Sequence, residues 1–176
     1  KETPGFIIAT KNLYDDGLLR EEYYKKVMEN ADLIESVIDY DKDYTFDYFA
    51  LTTLIRAYLL KFDNKTIERP QDLWMRVTLT VTGSEFNLDK IKETYKSLST
   101  GMYTHATPTL FNSGLKMQQL SSCFLIGMED DSIEGIFNTI KDCALISKTA
   151  GGIGMHAHNI RGSGSRIKST NGKSNG

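Results

Sequence analysis

Cysteine, proline and long apolar runs are all scarce in this sequence of 176 residues, which has two cysteines and three prolines. Two thiols are too few for a disulfide framework in a chain of this size, so we expect Cys123 and Cys143 to be reduced. The sequence has no secretory leader, and no apolar run approaches the roughly 18 residues that a membrane helix needs. These absences predict a cytoplasmic protein that does not act at a membrane.

An excess of one charge is missing as well. Lys and Arg number 21 against 23 Asp and Glu, which gives a formal net charge of −2. Proteins that bind nucleic acid without sequence preference usually present a basic face, so this balance argues against nucleic acid as a partner. Small nucleotides stay possible as ligands.

Apolar residues recur at spacings of three and four in the first hundred residues, which predicts a mainly helical region over residues 1–100. A helix is predicted over residues 21–39, with the apolar stripe Tyr24, Val27, Met28, Ala31, Ile34, Val37 and Ile38. A second helix begins near Pro70, with the inner face Leu73, Trp74, Val77 and Val81. A third follows the N-cap Asn87, with the stripe Leu88, Ile91, Tyr95 and Leu98. Residues 44–61 have a strand-like start and an undecided remainder.

The pattern changes in residues 101–176, where strands are expected to alternate with a helix. TPTLFNSG, at 107–114, predicts a short strand and a turn, and LSSCFLIGM, at 120–128, predicts a buried strand. A helix follows, opened by the capping pair Asp131 and Glu134, with its inner face at Ile133, Ile136, Phe137, Ile140 and Ala144. GGIGMHAHNI, at 151–160, predicts another strand, so the order is that of a parallel strand–helix–strand unit. The tail from Arg161 is rich in Gly, Ser, Asn and Lys, which predicts a mobile polar loop.

Cys123 allows two interpretations. An isolated intracellular cysteine is most often a small buried core residue. A redox role needs a partner thiol, and Cys143 is a poor candidate because its place on the following helix favours packing. If Cys123 is redox-active, its partner is expected outside this sequence.

The start of the predicted helix also has chemical potential. Asp131 and Ser132 are typical of a helix cap, and the aspartate could accept hydrogen bonds from a sugar hydroxyl. Phosphate would need cations, which Lys148, Arg161, Arg166 and Lys168 could supply, although each is also explained as a solvated surface residue.

The glycines of TAGGIG, at 149–154, are not a dinucleotide-binding fingerprint, because they follow a helix and precede a strand. Their pattern favours a helix C-cap and a close approach of the backbone. His105, His156 and His158 form no set of metal ligands with carboxylates at helical spacing, so we expect no metal site.

Four segments nevertheless share one resemblance. THATPTLFNSG, LSSCFL, DDSIEGIFNTIKDCALISKTAGGIG and IRGSGSRIKSTNGKSNG resemble the large, catalytic subunit of class I ribonucleotide reductase of the eukaryotic and viral type. VMENADLIESVIDYDKDYTFDYFALTTLIRAYLLK and ERPQDLWMRV extend the likeness upstream. The resemblance implies an α/β fold, in which a mainly helical N-terminal region precedes the first strands of a ten-stranded α/β barrel that is incomplete in this chain.

The resemblance also implies the chemistry. Members of the family reduce ribonucleoside diphosphates to deoxyribonucleoside diphosphates, the precursors of DNA, by thiyl-radical chemistry. A cysteine pair supplies two electrons and becomes a disulfide, which thioredoxin or glutaredoxin reduces. By its motif, Cys123 is similar to the first member of that pair.

Two nucleotide sites follow from the same resemblance. Thr107, Ser122, Gly151 and Gly152 match positions that hold the substrate. The positions that match the site of a deoxynucleoside triphosphate effector, at the interface of a large-subunit homodimer, are Asp131, Ser132, Ile133, Lys148, Arg161, Ile167, Lys168 and Ser169. Lys168 and Ser169 depart from the family pattern, which has a small pair such as Ala-Gly there.

The remaining machinery is expected elsewhere. The large subunit binds no cofactor directly, and a metal-containing small subunit supplies the radical. The thiyl cysteine, the second redox cysteine and the radical-relay tyrosines are expected after Gly176, and any ATP-binding domain before Lys1, so this piece alone should be inactive. Two alternatives stay open: a related glycyl-radical or adenosylcobalamin-dependent reductase, and a non-enzymatic nucleotide-binding module.

Overall fold

The computed structural model describes residues 3–176 and divides the chain into two compact units, the first ending at Leu120 and the second being Ser121–Gly176. Helices make up most of the first unit. Its α-helices are α1 (Phe6–Asp15), α2 (Glu21–Glu29), α3 (Ala31–Glu35), α4 (Tyr48–Thr53), α5 (Pro70–Val81), α6 (Leu88–Ser99) and α7 (Thr107–Asn112). A 3-10 helix (Tyr40–Thr45), a π-helix (Leu54–Tyr58) and the two-residue strands β1 (Lys61–Phe62) and β2 (Lys65–Thr66) complete it.

Helix α5 lies at the centre of the first unit, since every residue from Pro70 to Leu79 is buried. The predicted helix start at Pro70 is confirmed. So is the N-cap of α6, where Asn87 Oδ1 accepts a hydrogen bond from the Lys90 N–H at 3.0 Å. These two helices pack together, and the stripe residues Ile91, Tyr95 and Leu98 of α6 are buried.

Three predictions for the first unit were wrong in part. The helix of residues 21–39 is interrupted at Asn30, whose backbone is not helical and whose side chain donates to Lys26 O. Residues 44–61 do not start as a strand, because Asp47 caps α4 by accepting from the Ala50 N–H. TPTLFNSG is not a strand either: it forms α7, where Pro108 suits the first helical turn.

The border between the units also differs from the predicted regions, since it lies after Leu120 rather than near residue 101. Helix α7 belongs to the first unit because Arg76 of α5 donates hydrogen bonds to Leu110 O and Ser113 O, at 3.3 and 2.8 Å. A buried arginine thus ties the C-terminal end of α7 to the central helix.

The second unit is built on the predicted strand–helix–strand order. Its elements are β3 (Cys123–Gly127), α8 (Ile133–Lys148), β4 (Gly152–His156), β5 (Arg166–Ile167) and β6 (Gly172–Lys173). Strands β3 and β4 are parallel, which confirms the predicted topology. The strands described within residues 3–176 form three separate two-stranded sheets and no closed barrel.

Burial in the second unit contradicts the sequence-based prediction. β3 is not a buried strand, because its residues alternate between exposed and half-buried, and Leu125 is 92% exposed. Alternate residues of a strand face opposite sides of a sheet, so α8 can cover only one side of the β3–β4 pair. The predicted inner face of α8 is also exposed, at Ile133, Phe137, Ile140 and Ala144, whereas Gly135 and Thr139 are its buried residues.

The polar tail is not loop throughout, as the sequence predicted, since β5 and β6 pair as an antiparallel hairpin. Asn171 has a positive φ of 54° in the connecting turn, and its side chain accepts a hydrogen bond from Arg166 at 2.8 Å. Over the whole described range, 3–176, no helix is both long and apolar enough to cross a membrane.

Candidate functional site

The register of the parallel strands places Cys123 directly beside Gly152. The Gly152 N–H donates to Ser122 O at 2.7 Å, and a Cβ at Gly152 would lie 3.9 Å from the Cys123 sulfur. Three residues of the predicted substrate and redox site therefore lie together. The Cys123 thiol is free and exposed, so the interpretation as a buried core residue was wrong. Cys143 is also free, half-buried on α8.

Gly151 has a structural reason of its own. Helix α8 ends in a Schellman motif, in which Ala150 has a φ of 63° and the Gly151 N–H donates to Ile146 O at 3.2 Å. A Cβ at Gly151 would lie 2.6 Å from Ile146 Cγ2, closer than real Cβ contacts. The predicted helix C-cap with close backbone approach is therefore confirmed here.

Thr107 belongs to the first unit, where it is the first residue of α7. Its hydroxyl lies 3.2 Å from the phenol oxygen of Tyr58, which ends the π-helix. Sequence patterns gave no signal for this contact, because it joins residues 49 positions apart.

The predicted effector residues Asp131 and Arg161 contact each other. Arg161 Nε donates to Asp131 Oδ2 at 2.5 Å, and its Nη2 donates to Asp131 O at 3.0 Å. The helix cap is Ser132 alone, whose Oγ accepts from the Gly135 N–H at 3.0 Å. The capping pair of Asp131 with Glu134 was therefore wrong, because the aspartate is engaged by the arginine.

Two residues that sequence reasoning missed hold the loop before α8. The Thr139 hydroxyl accepts from the Glu129 N–H at 3.0 Å and donates to Gly135 O at 2.9 Å. Asn159 Nδ2 donates to Met128 O at 2.8 Å. A threonine in the middle of an apolar helix was the one available signal, because a buried hydroxyl needs a partner. Asn159 had none.

The other effector candidates are spread over the second unit. Ile133 and Lys148 are exposed at opposite ends of α8, which the helical rise puts about 22 Å apart. Ile167 is half-buried in β5, and Lys168 and Ser169 are exposed in the turn that follows it. A single copy of the chain thus brings Asp131 and Arg161 together but keeps Lys148 far from Asp131.

His156 and His158 are neighbours, and their Nδ1 atoms lie 2.6 Å apart. Only His156 belongs to β4. In the part of the chain that the structure describes, no three His, Cys, Asp or Glu side chains are grouped so that they could hold a metal ion.

Two family models match this chain in the order of its two units. "Ribonucleotide reductase, all-alpha domain" matches residues 44–118, and "Ribonucleotide reductase, barrel domain" matches residues 121–176. Together they account for most of the chain, which therefore belongs to the ribonucleotide reductase large-subunit family. The predicted fold class, a helical region followed by the start of the barrel, is confirmed.

Similar curated proteins are large chains of one enzyme. The chain is 52% identical over 159 residues to "Ribonucleoside-diphosphate reductase large chain 2" of Saccharomyces cerevisiae, a match that covers 90% of this chain and 18% of the yeast protein. The large chain of Cryptosporidium parvum is 54% identical, with 90% and 20% covered. The large subunit of Arabidopsis thaliana is 50% identical, with 90% and 19% covered. The chain thus spans about a fifth of the length of these relatives.

Proposed function

We propose that this chain is part of the catalytic large subunit of a ribonucleoside-diphosphate reductase, which makes deoxyribonucleoside diphosphates for DNA synthesis. The observation that carries the proposal is the free, exposed thiol of Cys123. This residue begins β3, lies in register with Gly152 and follows Ser122. The names of relatives that are about 50% identical support the substrate class.

In this proposal Cys123 is one of two thiols that reduce the substrate. The 2′-hydroxyl leaves as water, a C–H bond forms at the 2′ carbon, and the two S–H groups become one disulfide. A thiyl radical on another cysteine takes the 3′ hydrogen at the start and returns it at the end, so the radical is not consumed. A rigid strand suits this role, since it holds the thiol at a fixed point relative to the reacting carbon.

Substrate binding is assigned to Thr107, Ser122, Gly151 and Gly152. Hydroxyl groups and backbone N–H groups are suitable donors to a diphosphate, and residues without a side chain let the backbone approach a bulky ligand. Gly152 fits this role directly, since a Cβ at this position would point towards Ser122 O and the Cys123 sulfur, at 3.2 and 3.9 Å. Gly151 serves the packing of α8 as well.

Effector binding is assigned to the region around the Asp131–Arg161 pair. A guanidinium suits a triphosphate and a carboxylate suits sugar hydroxyls. The length of α8 separates Lys148 from this pair within one chain. This separation supports a site shared by two large subunits. A two-fold axis would bring the C-terminal end of one α8 helix, with Lys148, close to the N-terminal end of the other. We assign the remaining contacts to Ser132, Ile133, Ile167, Lys168 and Ser169.

The proposed partners complete the cycle. A small, metal-containing subunit supplies the radical, and thioredoxin or glutaredoxin reduces the disulfide. The reductase acts in the cytoplasm, and a second large subunit shares the effector site.

A single-turnover experiment on the full-length protein tests the redox role. The large subunit is reduced, freed of external dithiol, and mixed with the small subunit, an effector and a ribonucleoside diphosphate. Deoxynucleotide and a disulfide that contains Cys123 should form in equal amounts, measured by chromatography and peptide mass spectrometry, while Cys143 stays free. Product formation with Cys123 still open to alkylation would overturn the assignment.

A further inference from the structure

The Thr107 hydroxyl has a neighbour that can set its direction. Its Oγ1 lies 3.2 Å from Tyr58 Oη, and either atom could be the donor by geometry alone. A phenol is a stronger acid than an aliphatic alcohol, so the favoured arrangement has Tyr58 donating to Thr107. The threonine's own proton then points elsewhere.

A second contact holds Tyr58 against α7, the helix that carries Thr107. Its ring stacks on Phe111, with ring centroids 4.9 Å apart and planes at 19°. Phe111 follows Thr107 by four residues on α7, so both lie on one helical face. The phenol of Tyr58 thus spans one turn of α7, with its ring on Phe111 and its hydroxyl on Thr107.

The backbone that carries Tyr58 is unusual. Residues Leu54–Tyr58 form a π-helix, closed by the Leu59 N–H donating to Leu54 O at 2.9 Å. This wider turn is rare and is frequent at functional sites. The π-helix ends at Tyr58, the residue that contacts α7.

We propose that Tyr58 is a positioning residue for substrate binding, which rests on the role proposed above for Thr107. By donating to Thr107 Oγ1, Tyr58 leaves the threonine proton free to donate to a phosphate oxygen of the ribonucleoside diphosphate. The two hydrogen bonds run in one direction, from phenol to threonine to phosphate. Each strengthens the other, because an oxygen that accepts a bond becomes a better donor.

The test compares variants of the full-length large subunit. Tyr58→Phe removes the phenol oxygen and keeps the stacked ring, and Thr107→Val removes the hydroxyl at nearly constant volume. Substrate Kd is measured by equilibrium dialysis with labelled ribonucleoside diphosphate, and KM and kcat in the presence of the small subunit. The matched control is Tyr48→Phe, which removes the same atom from a ring that is 86% exposed.

We expect Tyr58→Phe to raise Kd and KM about three- to tenfold, the effect of one hydrogen bond, with a much smaller change in kcat. Thr107→Val should raise Kd at least as much, and adding Tyr58→Phe to it should have no further effect. In a Thr107→Ser background, which keeps the hydroxyl, the effect of Tyr58→Phe should persist. Tyr48→Phe should leave Kd unchanged.

The outcomes separate the two proposals. An unchanged Kd in Thr107→Val would overturn the substrate role of Thr107. A raised Kd in Thr107→Val with an unchanged Kd in Tyr58→Phe would overturn only the positioning role. Full additivity in the double variant would also overturn it, because Tyr58 would then act without Thr107. A melting curve of each variant identifies loss of fold, and the Thr107→Ser pair then decides.

Discussion

Arg161 and Asp131 form an ion pair across 30 positions of sequence, with the Arg161 Nε 2.5 Å from Asp131 Oδ2. The pair lies at the N-terminal end of α8, and both side chains are about one-third exposed. The aspartate therefore orients a guanidinium that is still accessible. If the proposed effector site is correct, a bound triphosphate would contact an arginine that Asp131 already holds in place.

The first prediction concerns this pair. Asp131→Ala in the full-length protein should weaken binding of a deoxynucleoside triphosphate about tenfold, because the sugar loses an acceptor and Arg161 loses its orientation. Stability should change by less than about 1 kcal/mol, as for other partly exposed ion pairs. Calorimetric titration measures the affinity. Asp142→Ala removes the same charge from an exposed position on α8 and should bind normally. Equal losses in both variants would contradict a specific role.

The second prediction concerns the two cysteines. Cys123→Ser should abolish multiple turnovers with a dithiol reductant, because a hydroxyl cannot form the disulfide, and effector affinity should stay unchanged. Cys143→Ser is the matched control, since this thiol is half-buried on α8 and has no role in the proposal. Steady-state formation of deoxynucleotide measures both. Normal turnover of Cys123→Ser would reject its redox role.

A third prediction concerns the buried ion pair of the first unit. Arg76 Nε donates to Glu68 Oε1 at 2.6 Å, and both side chains are almost fully buried. Arg76→Met should lower the free energy of unfolding by about 3–5 kcal/mol, because it leaves the buried Glu68 carboxylate without its positive partner and with the Leu60 N–H as its remaining donor. It also removes the Arg76 donor from two carbonyl oxygens at the end of α7. Urea unfolding of this chain measures the loss.

Two further variants show whether burial is the cause. Replacing both partners, as Arg76→Met with Glu68→Leu, should recover much of the stability, because no charge is then left unpaired. Lys25→Met breaks an exposed pair with Glu21 and should shift the unfolding midpoint little. If the single and double Arg76 variants were equally unstable, an unpaired Glu68 would not be the reason.

The fourth prediction concerns pH. Burial raises the pKa of Asp72 to about 7, although its carboxylate accepts hydrogen bonds from the Arg69 N–H and the Tyr40 hydroxyl. The Asp72 carboxyl group therefore holds its proton more tightly in the folded protein than in the unfolded chain, where its ordinary pKa is 3.8. The stabilisation from this group is fully present below about pH 4 and is lost as the pH rises to about 7, at up to about 1.4 kcal/mol per pH unit.

Urea unfolding between pH 4 and 7, followed by the fluorescence of Trp74 on the same helix, measures this slope. Asp72→Asn cannot ionise, so its stability should fall less steeply with pH than that of the parent protein. The comparison uses only the slopes of the two curves, because the amide replaces one acceptor by a donor and so changes the stability at every pH. Parallel curves for the two proteins would show that Asp72 does not titrate in this range.

Local signals made part of the fold predictable. Pro70 begins α5 and Asn87 caps α6 because each acts on backbone groups within a few residues of itself. The order of strand, helix and strand around Cys123 was predictable for the same reason, and with it the parallel pairing of the two strands. The register that puts Cys123 beside Gly152 came from the structure. The identity of the redox and nucleotide-binding candidates came from motif resemblance, and they stay predictions.

Contacts between distant residues decided the rest. TPTLFNSG becomes a helix whose end is held by Arg76, and Asp131 leaves the cap of α8 to Ser132 because Arg161 engages it. By itself the sequence determined where most helices and the β3–β4 pair lie, since caps and apolar spacing act within a turn or two. Only the tertiary structure decided which face of α8 is exposed, and that Tyr58 meets Thr107, because those depend on partners that lie far away along the chain.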